Sequence, residues 1–200
     1  MKNIALSCIA LCALAGCASV PTPQSRSEWK AIHSRSFQGQ SEEAVLEAAE
    51  KTLRLADKDF RFDYPEGQLI ATRSWLVYAV IAATMGTDYW TISTRKTADG
   101  VEATAQVTRS IGAIAPTPTI GSAGVNGAAV VSSSTPGQPV QHAPPYDLFW
   151  KRVSYLLEPS GEWPSCSAYK AGKDRAQKAS IDTLCSVTTN DAAPEAVPQT

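Results

Sequence analysis

Apolar positions recur at three- and four-residue spacing from residue 41 to about 56. Val45, Ala48, Ala49, Thr52, Leu53 and Ala56 form one stripe, widened by Leu46, while Glu47, Glu50, Lys51 and Arg54 fill the other side. That period predicts a helix with one buried face. Ser41 suits the N-cap, and Glu42 and Glu43 lie in the first turn, where the helix dipole favours anions. A second stripe of Tyr146, Phe149, Trp150, Val153, Leu156 and Leu157 predicts a helix over 146–157, with Lys151 and Arg152 facing water. Pro159 and Gly161 end it.

Elsewhere the period is two. Residues 29–38 alternate and read as a strand closed by Gly39-Gln40. Phe60, Phe62 and Tyr64 alternate against Asp59, Arg61 and Asp63; Pro65-Glu66-Gly67 suits a tight turn, and 69–73 returns, so 58–73 reads as a hairpin. Residues 88–96 and 101–108 alternate on either side of Asp99-Gly100, a strong hairpin signal. Between the hairpins, 75–86 is almost continuously apolar and too short to cross a bilayer. It reads either as a buried strand or short packed helix, or as an exposed apolar flap that touches membrane or partner.

The order strand, helix, hairpin, hairpin, helix predicts an α+β fold. It would have an antiparallel four- to five-stranded sheet, two amphipathic helices on one face and a disulfide-tied C-terminal extension. The expected organisation is a signal at 1–16 and a tether at 17–28. The sheet and first helix occupy 29–111, and 112–145 is a mobile loop rich in Gly, Pro, Ser and Ala with almost no charge. The second helix and the bridged extension take 146–186, and 187–200 is a disordered tail.

The N-terminus changes the picture most. Met1, Lys2 and Asn3 make a short basic start, residues 4–14 are largely apolar, and small residues follow. That is the layout of an export signal. An ordinary cleaved signal, releasing a soluble protein, has the same layout. These eleven residues, apolar but for Ser7, span about 16 Å as a helix, which suits a signal core and is short for a permanent span. Without 1–16, 184 residues remain, with 17 Lys and Arg against 19 acidic residues. This near-balance excludes a nucleic-acid binder. Export also gives the cysteines meaning. Cys8 and Cys12 leave with the signal, and Cys166 and Cys185 form an even pair in an oxidising compartment. We expect them to bridge; two free thiols are the alternative.

Leu14-Ala15-Gly16-Cys17 resembles the lipobox of bacterial lipoproteins. The resemblance implies cleavage before Cys17, a diacylglycerol thioether on its sulfur, an acylated (palmitate-type) amine, and hence a membrane anchor. Ala18 stands where an Asp tends to retain such proteins at the inner membrane, which points to the outer membrane. Further on, Arg35-Ser-Phe37, Glu43-Ala-Val-Leu46, Gly67-Gln-Leu-Ile70-Ala-Thr-Arg73 and Tyr146-Asp-Leu-Phe149-Trp150 resemble a diffuse set of small envelope lipoproteins of unassigned function. Their order is also similar to the helix-grip domains of lipoproteins that accompany the β-barrel assembly machinery. The resemblance implies a fold and an address and brings no catalytic residue.

No reaction centre is legible. His33 and His142 have no Cys or His at ligand spacing, and zinc needs three or four ligands. Asp57, Asp59, Asp63 and Glu66 fail the calcium-loop pattern, because Phe62 and Gln68 stand where Gly and Glu are required. Gly-x-Ser-x-Gly and phosphate-loop motifs are missing. Paired carboxylates could still form if Asp88 or Glu102 met others in space. We therefore expect no catalysis, no metal and no cofactor. The expected function is docking of a lipid-anchored, periplasm-facing domain onto another envelope protein or complex. The alternative is a module binding a lipid or other apolar small molecule, with Trp75, Tyr78, Trp90 and Trp150 as its candidate apolar surface.

Overall fold

A computed structural model describes residues 25–79, 82–117, 129–186, 189 and 191–194. Cys17 and the signal therefore lie outside the described residues, as do most of the expected tether and tail. The fold is α+β. Helix α1 spans Arg26–His33, strand β1 Ser34–Gln38 and helix α2 Glu42–Ala56. Strands β2 (Arg61–Asp63), β3 (Gln68–Ala79), β4 (Ala82–Thr97), β5 (Gly100–Thr117) and β6 (Ala129–Pro139) follow, then α3 (Ala143–Leu157), α4 (Cys166–Lys170) and α5 (Arg175–Ile181). The described strands make one antiparallel sheet in the order β1-β5-β4-β3-β2, with β6 also on β5.

The predicted helices form for the predicted reasons. Ser41 accepts the Ala44 N–H, and the α2 stripe from Val45 to Ala56 is buried. Both hairpins stand, and Gly67 adopts φ 67° in its turn, a region that favours glycine. Leu69, Ala71, Trp90, Ile92, Ala103, Ala105 and Val107 line the sheet face beneath α2 and α3. Phe149 stacks on Trp90 at 5.1 Å and meets Trp150 edge-on at 4.9 Å.

Several expectations are corrected. The segment 29–38 is helix to His33 and strand only from Ser34. Ser25 and Glu28 form a capping box that starts α1 within the expected tether. Helix α3 starts three residues early, because Pro144 and Pro145 sit in its first turn, where they need no N–H partner. The segment expected as a mobile loop, 112–145, contains the end of β5, all of β6 and the start of α3. Paired backbone, absent from any side-chain period, orders these strands. In the expected tail, Asp191 accepts from the Cys166 N–H at 2.5 Å and from Arg152 at 3.0 Å.

Candidate functional site

Three polar constellations and one apolar surface stand out. The first is a charged row. Arg73, Asp88 and Arg109 occupy adjacent register positions on β3, β4 and β5. Arg73 Nη2 donates to Asp88 Oδ2, and Arg109 donates to both carboxylate oxygens, from Nε at 2.5 Å and Nη2 at 3.0 Å. Arg73 also reaches Asp57 Oδ2 at 3.3 Å and the Asp182 carbonyl at 3.0 Å. Arg109 reaches the Ala179 carbonyl at 3.3 Å. Asp88 is fully buried and Arg73 nearly so. Two cations balance two carboxylates, which is how a buried charge is tolerated. Among the described residues, no second carboxylate meets Asp88 without an arginine between them. Glu102 instead lies on the open sheet face, held by Lys30 at 2.7 Å and by Arg95, which keep its carboxyl below the usual range.

The second constellation closes a gap in the edge of β5. Strand β1 pairs with β5 up to Thr104, and β6 pairs from Thr108. In between, His33 Nδ1 bonds the Ala105 carbonyl at 3.0 Å. The Val107 N–H donates to the Tyr146 hydroxyl at 3.2 Å, and that hydroxyl donates to the Val140 carbonyl at 2.7 Å. The Val140 N–H donates to the Val107 carbonyl at 2.9 Å. Side chains thus satisfy backbone groups that would otherwise be buried and unpaired. Burial lowers the His33 pKa and pushes the Tyr146 hydroxyl up to about 12. Both groups stay neutral at pH 7, and both serve the sheet.

The third is the bridged extension. Cys166 and Cys185 form the expected disulfide. Arg152 is fully buried beneath it, contrary to the water-facing expectation, because Pro164, Cys166 and Asp191 close over that side of α3. Its Nε donates to the Pro164 carbonyl at 3.0 Å, and its guanidinium lies 4.9 Å from the Trp163 ring. Burial lowers its pKa, opposed by Asp191. Asp191 also caps the N-terminus of α4. A nearby open groove of about 440 Å³ is lined by Arg35, Asp147, Lys151, Tyr155 and Glu162, among others. Asp147 is held below its ordinary pKa: burial raises it, but the Tyr169 hydroxyl and Lys151 outweigh that. Among the described residues, no three His, Cys, Asp or Glu side chains stand close enough to hold a metal. None of the described helices is long and apolar enough to cross a membrane.

The fourth feature is the sheet end beyond the charged row. There β3, β4, β5 and β6 continue as a four-stranded ribbon. Leu76, Val77, Tyr78, Met85 and Ile111 are exposed on it, Tyr78 to 79%. Residues 75–79 and 82–86 are thus strand, as one reading had it, and Leu76, Val77, Tyr78 and Met85 are exposed, as the other did. Trp75 lies flat over Gly86, where an added Cβ would come within 2.4 Å of the indole, and Arg109 sits 5.5 Å from the same ring. The described residues of this end come from two stretches of sequence, 74–87 and 110–146, whose 51 residues contain no Asp, Glu, Lys or Arg. At the average density of 37 charges in 200 residues they would carry about nine. Two separate stretches of sequence thus lack charge, and their described strand residues meet at one end of the sheet.

The four aromatic residues expected to form an apolar surface do not meet. Trp90 is fully buried and Trp150 is 2% exposed, both in the core between sheet and α3. Only Trp75 and Tyr78 belong to the open ribbon. Leu76, Val77, Met85 and Ile111 join them, and the sequence signal for these was the missing charge rather than aromatic content. No protein-family model matches the chain, and no curated protein or solved structure matches it.

Proposed function

We propose that this is a lipid-anchored lipoprotein of the bacterial outer membrane. Its periplasm-facing domain docks, without catalysis, onto another envelope protein or complex through the uncharged sheet end. The carrying observation is the contrast between two kinds of surface. The buried polar clusters are engaged internally, whereas Leu76, Val77, Tyr78, Met85 and Ile111 are left in water. Covering a half-exposed side chain of this size is worth roughly 1 kcal/mol, so five offer about 5 kcal/mol towards association before its entropic cost. The anchor reading is supported by Leu14-Ala15-Gly16-Cys17 and by the Ser25 cap of α1 eight residues after Cys17. Eight residues reach at most about 27 Å, so an anchor at Cys17 would hold α1 near its membrane. The alternative, an apolar small-molecule module, uses the same side chains, but the 440 Å³ groove is lined by charged groups.

A photo-crosslinking residue at Tyr78, activated in intact cells, tests this reading. The expected product is a protein adduct that needs Cys17. Adducts with lipid alone, or undiminished function and adduct yield after Cys17→Ser, would refute it.

A further inference from the structure

We infer that the uncharged sheet end pairs edge to edge with a second copy of the same chain, β6 of one copy against β3 of the next. The inference rests on the docking reading only in placing the contact at this end; it concerns the strand edges, not the exposed faces.

The edges elsewhere are defended. Strand β2 is three residues long and carries exposed Arg61 and Asp63. Along β1, Arg35 Nη1 covers the edge by donating to the Ala31 and Ser34 carbonyls at 2.5 and 2.8 Å. The base of β6 has Pro136 and Pro139, and its pairing with β5 shifts register between Arg109 and Ile111. Short strands, charges, prolines and bulges are the devices that stop sheets from adding strands. None of them protects 74–79 on β3 or 129–135 on β6. Among the described residues, β2 covers β3 only as far as Thr72, and no strand lies outside β6.

Hydrocarbon cannot serve as the occupant of these edges, because lipid offers no partner to N–H and C=O groups. The occupant must bring a backbone. The chain carries both halves of such a joint, two undefended edges of six and seven residues on opposite sides of one ribbon. Successive strands are antiparallel, so β3 and β6 run in opposite directions. A joint of β6 with the β3 of another copy is then antiparallel while both copies point the same way. Copies anchored in one leaflet meet that condition. A two-fold β3–β3 joint would turn one copy end over end and separate the anchors. The geometry therefore points to a head-to-tail assembly, which closes as a ring or extends as a row.

Cysteine pairing in the native envelope tests this. Residues 77, 84, 113 and 133 share one cross-strand row, so Val77 and Ser133 meet if the joint continues the row. Val77→Cys and Ser133→Cys chains, otherwise natural, are co-expressed and oxidised before solubilisation; Val131→Cys and Thr135→Cys replace Ser133→Cys to cover a two-residue stagger. A disulfide-linked dimer is expected with one of the three pairs and with neither variant alone. Val77→Lys should leave the unfolding midpoint unchanged, because Val77 is 60% exposed, and reduce the solubilised chain from a multiple of its mass to a monomer. The inference is overturned if no mixed pair crosslinks, if either variant links to itself alone, or if Val77→Lys stays assembled. A Tyr78 adduct with a different protein and no self-pairing would overturn it while leaving the docking reading intact.

Discussion

Replacing Asp88 with Asn removes one charge and almost no volume. The side chain is fully buried and accepts from both Arg73 and Arg109. The substitution leaves the buried Arg73 guanidinium facing one remaining carboxylate, Asp57, and takes from the half-buried Arg109 the carboxylate it donates to. Breaking a buried ion pair from one side costs about 3–5 kcal/mol, because the surviving charge keeps its desolvation penalty. For a domain of this size each kcal/mol lowers Tm by roughly 2–4 °C, so the expected loss is on the order of 10 °C. Thermal unfolding followed by circular dichroism at pH 7 measures it. The quadruple variant Asp57→Asn, Arg73→Met, Asp88→Leu, Arg109→Met serves as control. It removes the charges together and should lose much less than Asp88→Asn, since apolar replacement of a whole buried network is often near neutral. A loss below about 1 kcal/mol for Asp88→Asn would refute the claim that the row is held by mutual neutralisation.

Tyr146→Phe should cost about 2 kcal/mol in urea unfolding, because the Val107 N–H and Val140 carbonyl both lose their partner. His33 has a folded pKa below its ordinary 6.5, so its contribution is present above pH 6.5 and lost as pH falls through the folded value. The fall in urea midpoint between pH 7 and pH 5 should therefore be smaller in His33→Gln than in the natural chain. Replacing Cys166 and Cys185 by Ser opens a loop with a sequence separation of 19 and should cost about 3 kcal/mol. Gly86→Ala should disturb the ribbon, because its Cβ would come within 2.3 Å of the Ser110 carbonyl and 2.4 Å of Trp75. A changed Trp fluorescence spectrum with the core aromatics still packed in near-UV circular dichroism is the expected sign.

What was legible in the sequence was what short-range periodicity encodes. The α2 stripe, the 99–100 turn and the Cys166–Cys185 pair each follow from residues close together or from a count of two. Helix α1 was missed because its start signal, Ser25 with Glu28, lay in a stretch whose composition suggested a linker, and because eight residues are marginal as a helix without packing. Trp29 and His33 stack at 4.5 Å, and His33 meets Tyr146 at 4.1 Å, contacts more than a hundred residues apart in the case of Tyr146. Strand β6 was missed because Ala, Ser, Thr and Gly give no alternation; its order comes from β5. Arg152 looked solvated for the same kind of reason, since its covering groups, Pro164 and Asp191, arrive from later in the chain.

The charged row also marks a boundary that explains why the sheet is longer than its helices. On the helix side of Arg73, Asp88 and Arg109, the sheet face is closed by α2 and α3; at the row itself, the Ala179 and Asp182 carbonyls arrive from the bridged extension. A domain that needed only its own core would end its strands there. Instead β3 and β4 run about 20 Å further, at roughly 3.3 Å per residue. Extending paired strands into water without charge is a liability for a protein working alone. Such an end persists in a sequence when something covers it, and the defended edges of β1 and β2 show that the same chain has the means to prevent association where it is unwanted. On the proposed docking reading, the missing charges beyond the row are a condition of assembly rather than a defect of solubility.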